Sequence, residues 1–350
     1  MSGPDAVVVE EYFMADLRAE YLGISLKNPL VAGASSLTSN MGSIRKLEDE
    51  GVGALVISSL FEETIQLQSY KMEQDMSYFD NLDAEISNIF PDIEHAGPEE
   101  HLMWVRKAVE AVDIPVIASL NCIDTATWVE WAKKLEETGV QGLELNFFAV
   151  PVDPAESAQE NEQYQIDTVA AIMDKVKIPV SVKLSPFYTS PLNIVRRFDE
   201  AGVAGFVIFN RLWHPEIDID SEKMSFPFHL SSPEDLGLPI RYVGLLAGSV
   251  KGSLCATNGV HAGADAVRAI LAGADVVQAV STFYKNGVQN AKKMLADVES
   301  WMDRKGYSSL DDFRGKLCYA NTREKWTFKR AQYVRHLLNS EQYIKRSSAL

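Results

Sequence analysis

The chain has 350 residues, of which 46% are hydrophobic and 23% charged, and it carries a formal net charge of −16. This is the composition of a globular protein with a large core, and its acidity argues against nucleic acid and against an anionic membrane surface as partners. Cys122, Cys255 and Cys318 stand far apart with no CxxC, which excludes a self-contained iron–sulfur cluster or cysteine-rich zinc site and fits a reducing cytosol.

Residues 1–20 are expected to be an extension that precedes the fold. MSGPDAVVVEEYF carries Asp5, Glu10 and Glu11 and no basic residue before Met14, unlike a signal peptide. No run of about 18 apolar residues follows, so no membrane span and a cytoplasmic location are expected. From there four segments repeat one pattern of helix end, glycine and strand: EGVGALVISS (50–59), TGVQGLELNF (138–147), AGVAGFVIFN (201–210) and AGADVVQAVS (272–281). Each glycine suits the left-handed position that stops a helix. Each run after it is apolar on nearly every residue, as strands buried on both faces are. PLVAGA (29–34), PVIASL (115–120), PVSVKL (179–184) and SLCATN (253–258) bring the strands to eight.

Helices alternate with these strands. Gly97-Pro98-Glu99-Glu100 opens one, with Leu102, Val105, Val109 and Val112 as its expected buried stripe. Asp124 is placed to cap a second, which turns Trp128, Ala132 and Leu135 inward. Ser190-Pro191 starts a third, with Ile194, Phe198 and Ala201 inward. Alternating β and α with doubly buried strands means a parallel sheet, and eight units without a GxGxxG favour an α/β (β/α)8 TIM barrel over residues 21–318. Long excursions follow strands 2 and 6. Residues 61–100 hold eleven Asp or Glu against Lys71, and residues 211–246 carry Trp213, His214, Phe226, Phe228 and His229. The functional reading is a lid and a substrate-facing excursion; the other is solvated decoration, which for the acidic run is an equal alternative. Residues 319–350 form a basic tail, with Trp326, Arg330, Val334 and Leu338 at helical spacing. It is expected to clasp the barrel or a second subunit, and a homodimer is expected.

Polar residues ending apolar strands face one mouth of such a barrel: Ser35, Ser58, Ser59, Asn121, Asn146, Lys183 and Asn210. A lysine beside buried positions needs an anionic partner. For Lys183 that partner is either a cofactor that becomes anionic on reduction or a strand carboxylate such as Glu144. The asparagines suit an amide-rich ring. Asn258-Gly259 allows a tight turn with close ligand approach, and Ser281-Thr282 opens a helix whose free N–H groups suit phosphate. His261 borders that turn, facing either an anion or solvent. Cys122 is either a thiol base or a buried inert cysteine. The remaining histidines lack metal-ligand spacing, so no metal is expected.

Taken together, NPLVAGAS (28–35), GLELN (142–146), PVSVKL (179–184), NGVHAGADA (258–266) and KGYSSLDDFRGKL (305–317) resemble the dihydroorotate dehydrogenases, nearest their soluble class. The resemblance covers roughly Tyr21 to Leu317. It implies an FMN-containing barrel in pyrimidine biosynthesis that oxidises a CH–CH bond of a small-molecule dihydropyrimidine. It places Asn258, Gly259, Val280 and Ser281 on the FMN phosphate, and Ala34, Ser35, Ser59, Asn121, Asn146 and Lys183 around the flavin, with Lys183 catalytic. Asn210 is implied to bind flavin and substrate; Asn88, Asn146 and Arg211 fall at substrate positions. The departures concern the substrate half. Ile57 replaces a lysine on the second strand, Ser87-Asn88-Ile89-Phe90 replaces an Asn-Ser-Met-Gly loop, Arg211 replaces a serine, and Ala149 stands where the family has its Cys or Ser base. Two other readings of the same residues are a non-catalytic FMN-binding barrel and a phosphosugar isomerase or aldolase using Lys183 as a Schiff-base amine.

Overall fold

The computed structural model describes residues 15–66, 97–148 and 150–343. A short antiparallel hairpin, β1 (Ala19–Tyr21) and β2 (Ile24–Leu26), comes first. It closes the bottom of the barrel. Leu22 sits so tightly against the start of the sixth barrel strand that a Cβ on Gly205 would lie 2.4 Å from its Cδ2.

The barrel strands are β3 (Leu30–Ala32), β4 (Ala54–Val56, resumed by β5, Leu60–Phe61), β6 (Val116–Asn121), β7 (Gly142–Asn146), β8 (Val180–Leu184), β9 (Gly205–Ile208), β12 (Ser253–Thr257) and β13 (Val276–Ala279). All pair in parallel, and β13 returns to β3 with Val277 opposite Leu30, so the sheet closes. Between β4 and β5 the chain runs one residue longer than its partner: Val56 faces Ile117, but Leu60 faces Leu120. Such a bulge re-aims side chains. Ile57 is fully buried here, while Ser58 and Ser59 reach the mouth. The four glycines of the repeated pattern all have positive φ: Gly51 96°, Gly139 90°, Gly202 96° and Gly273 118°.

The helices are α1 (Met41–Asp49), α2 (Pro98–Ala111), α3 (Thr125–Glu136), α4 (Ala158–Met173), α5 (Pro191–Glu200), α6 (Gly237–Leu246), α7 (Gly263–Ala272), α8 (Ser281–Asn286), α9 (Asn290–Lys305) and α10 (Arg330–Leu338). Asp124 caps α3, accepting from Thr127 N, and Trp128, Ala132 and Leu135 are fully buried. Two expected stripes need correction. In α2 the third buried position is Ala108, and Val109 and Val112 lie half-buried at the edge of the contact. In α5 the buried set is Pro191, Ile194, Val195 and Phe198; Ala201 is the exposed C-cap, one residue past the helix.

The excursion after β9 forms a hairpin, β10 (Glu216–Asp218) with β11 (Lys223–Ser225), then a 3-10 turn at Pro233–Leu236 and α6. In the tail, the expected single helix is broken: Trp326 belongs to a 3-10 turn (Lys325–Phe328), and Lys329 is extended before α10 begins. The break lets Phe328 reach the barrel. Its ring fills the space where a Cβ on Gly244 would be (2.6 Å), Tyr319 N donates to Gly244 O, and Arg241 Nη1 donates to Phe328 O at 3.0 Å. The tail therefore clasps its own barrel through α6. Among the described residues no helix is long and apolar enough to cross a membrane.

Candidate active site

A cavity of about 410 Å³ opens at the C-terminal ends of the barrel strands, the face on which such barrels carry chemistry. At one end three loops converge. Asn258 and Gly259 follow β12, Val280 and Ser281 follow β13, and Ser231 enters from the excursion after β9. Ser231 Oγ lies 2.8 Å from Ser281 Oγ and accepts from Gly259 N at 3.3 Å, and Lys285 Nζ donates to Ser231 O at 2.7 Å. Asn258 and Gly259 both have positive φ (70° and 74°), and Asn258 Nδ2 is anchored on Phe209 O at 2.7 Å. Gly259 is required twice over, because a Cβ there would also lie 2.3 Å from Leu236 N. Ser281 and Thr282 open α8, where backbone N–H groups lack intrahelical acceptors. Two hydroxyls, an amide N–H and a nearby ammonium form a donor set that fits a phosphate monoester. His261 Nε2 is 3.4 Å from Ser231 Oγ; burial, then the Lys285 charge, hold its imidazole below the usual histidine range.

The floor is built from three buried side chains on three strands. Lys183 Nζ lies 3.3 Å from Glu144 Oε1 and 3.4 Å from Gln278 Oε1, and Gln278 Nε2 donates to Glu144 Oε2 at 2.5 Å. Lys183 and Gln278 line the cavity, whereas Glu144 is fully buried beneath it. Lys183 thus has the strand carboxylate Glu144 below it and faces the cavity above. Its ammonium keeps one N–H beyond these two contacts.

Asn146 and Asn210 stand beside the lysine on the wall. Asn210 Nδ2 donates to Asn146 Oδ1 at 2.6 Å, and Asn146 O accepts from Asn121 Nδ2 at 2.9 Å. Asn121 therefore sits behind the wall and orients Asn146 rather than lining the cavity. Ser59, whose hydroxyl meets Ser119 at 2.7 Å, lines it together with Ala34 and Ser35. Ser36 Oγ binds Tyr284 OH at 2.6 Å, and Tyr284 meets Phe228, which stacks on Trp213 with centroids 4.5 Å apart. Arg211 is at the rim, but its guanidinium is held by Asp235 (3.0 Å) and by His229 O (2.9 Å).

The expected residues Ala34, Ser35, Ser59, Asn146, Lys183, Asn210, Arg211, Asn258, Gly259, Val280 and Ser281 all border this one cavity. Asn88 and Ala149 lie outside the described residues. Ser231, Tyr284 and Gln278 were not read as site residues. Gln278 had a signal, being polar within the otherwise apolar run Val276–Ala279. Cys122 is buried off the cavity, and burial, then Glu62, push its thiol far above the usual range, which fits the inert alternative. Ser185 lines a separate cavity of about 240 Å³ with Phe147 and Tyr188.

With this geometry established, similarity to known proteins is specific. The family profile described as dihydroorotate dehydrogenase matches residues 16–302. The catalytic subunit of dihydroorotate dehydrogenase B (NAD(+)) from Thermoplasma volcanium is 26% identical over 307 residues, 86% of this chain and 98% of the relative. Dihydroorotate dehydrogenase A (fumarate) from Lacticaseibacillus paracasei is 26% identical over 260 residues, covering 71% of this chain and 85% of the relative. The chloroplastic dihydropyrimidine dehydrogenase (NADP(+)) of Arabidopsis thaliana is 24% identical over 330 residues, with 86% and 76% covered.

Proposed function

The chain belongs to the dihydroorotate dehydrogenase family, and on that premise we propose that it is an FMN-dependent oxidoreductase acting on a CH–CH bond of a small cyclic amide. One observation carries the reading: a single cavity joins a phosphate-type donor set at Gly259, Ser231 and Ser281 to a buried lysine and an asparagine pair. A mononucleotide with a polar ring has that polarity along its length.

FMN supplies a two-electron hydride acceptor when bound. The chain's own residues do the rest. Ser231, Ser281 and Gly259 N–H would hold its phosphate, and Asp235, bound by both Arg211 and Ser232 N, braces the segment that carries Ser231. The remaining Lys183 N–H would be available to a ring edge on which charge develops, a preorganised electrostatic role. Substrate oxidation removes a hydride from one ring carbon and a proton from its neighbour, leaving a C=C bond. Ala149, at the family's base position, carries a methyl group that takes no proton. Dihydroorotate is the substrate named by resemblance, and without that base its oxidation is expected to be slow.

The Schiff-base reading is disfavoured because Lys183 Nζ is engaged by Glu144 and Gln278, whereas such a lysine needs its nitrogen free. The test is purification under mild conditions: the protein is expected to be yellow, releasing FMN on denaturation at about one per chain. A colourless protein that takes up no added FMN overturns the reading.

A further inference from the structure

We propose that His261 is a titrating member of the phosphate end, acting through Ser231: it takes up a proton as a phosphate monoester binds, so that the affinity for FMN rises as the pH falls. The proposal rests on the flavoenzyme reading above and adds to it a binding residue and a pH dependence.

The placement of the ring carries the argument. Its backbone is pinned from three helices, α7, α8 and α9. His261 N donates to Asp265 Oδ2 at 3.0 Å, and His261 O accepts from Thr282 Oγ1 and Asn290 Nδ2, each at 3.0 Å. The imidazole stands behind Ser231, one hydroxyl away from the cavity. Ser231 Oγ donates to Ser281 Oγ at 2.8 Å and accepts from Gly259 N at 3.3 Å, and His261 Nε2 lies 3.4 Å from it. Ser281 Oγ also accepts from Ser231 N at 3.0 Å. With two donors already, it keeps its own O–H for a ligand in the cavity. A neutral imidazole donates from one nitrogen only, whereas an imidazolium donates from both. Protonation therefore fixes Nε2 as a donor to Ser231 and sets a positive charge behind the two serines.

The charges around the ring favour proton uptake on anion binding. Lys285 of α8, which donates to Ser231 O at 2.7 Å, acts on it together with Asp265 of α7 and with Glu234 and Asp235 of the turn at Pro233–Leu236. Asp265 and Asp235 are matched by Arg268 and Arg211. Burial, then the Lys285 ammonium, therefore prevail and hold the imidazole below the usual histidine range. A phosphate dianion reverses this balance, because it offsets Lys285 and gives the imidazolium a counter-charge. An opposite charge within about 4–6 Å moves a pKa by about 1–3 in favour of the charged form. The FMN-bound protein then holds the proton more tightly than the free protein does. Between the two pKa values binding takes up a proton, so the affinity grows as the pH falls through the higher value and levels off below the lower one.

The experiment titrates the full natural chain, freed of flavin, with FMN at pH 7.5 in two buffers of different ionisation heat, so that calorimetry counts the protons exchanged. A net uptake of roughly half a proton is expected. The FMN affinity of the natural protein is expected to rise about three- to tenfold from pH 8 to pH 6.5. His261→Gln is expected to show no uptake and an affinity that stays flat or falls over that range, since the phosphate itself begins to protonate near about pH 6. The uptake is read on the natural protein and so does not depend on the variant folding. FMN binding without proton uptake overturns the proposal, as does an uptake undiminished in His261→Gln, and both leave the flavoprotein reading standing. A protein that takes up no FMN removes both.

Discussion

Lys183 and Glu144 illustrate how far a single pair of residues sets the behaviour of the site. Both are buried, with side-chain exposure of 10% and 0%, and removing one partner of such a pair strands the other charge at a cost of about 3–5 kcal/mol. Glu144→Gln and Lys183→Met are each expected to lower the denaturation midpoint, and the double variant to recover most of the loss. Additive losses would mean that the two side chains act independently. Catalysis separates the roles further. Lys183→Met is expected to slow flavin reduction by about 10²–10³-fold, and an unchanged rate would leave the lysine a purely structural partner. At Ala149 the expectation is a missing step: general bases contribute about 10²–10⁴-fold, so dihydroorotate oxidation should be weak or absent in the natural protein. Cys122→Ala should change nothing, since that thiol is buried away from the cavity. Turnover of dihydroorotate at rates typical of its relatives, lost in Cys122→Ala, would contradict both statements.

The turn after β12 is the element on which the phosphate end depends. Gly259→Ala would combine a left-handed φ of 74° with a Cβ 2.3 Å from Leu236 N. It is expected to weaken FMN binding and destabilise the fold by more than about 1 kcal/mol. Gly237→Ala, at the start of α6 with φ −59° and open space around it, is expected to stabilise by about 0.5–1 kcal/mol. Thermal melts and FMN titrations of the two variants check the opposite signs. The barrel strands were legible in sequence because burial on both faces forces continuous apolar runs, and any polar residue at their ends then stands out. Contacts between distant loops leave no such trace. Ser231 meets Ser281 and Ser36 meets Tyr284 only once the barrel has closed, and each serine alone reads as an ordinary turn residue. The bulge at Ile57–Ser59 and the break at Lys329 were hidden for a related reason: one is set by register against β6, the other by where Phe328 must land on Gly244. The shift of the α2 stripe to Ala108 follows helical spacing, since Leu102, Val105 and Ala108 recur every three residues along one face and Val109 falls at its edge.

At the scale of the whole molecule, stability is coupled to pH through a group outside the active site. His101, in α2, has its Nε2 buried with no hydrogen-bond partner among the described residues. Burial alone pushes its imidazole down from 6.5 to about 4, because an unpaired cation there would lose its hydration. Between those two values the unfolded chain binds a proton that the folded chain does not. Stability therefore rises with pH across this window. The contribution is fully present above 6.5 and is lost as the pH falls toward 4. The shift corresponds to about 3 kcal/mol at most, and water reaching the half-buried ring reduces it to about 2 kcal/mol. Carboxylates add their own acid dependence, so the comparison must be differential. Denaturant unfolding at pH 7 and pH 4.5 is expected to show a smaller acid loss for His101→Phe than for the natural protein, whatever the variant does to stability at neutral pH. An equal loss in both proteins would mean that His101 is protonated in the fold at no cost, and that the acid sensitivity of the barrel belongs to its carboxylates alone.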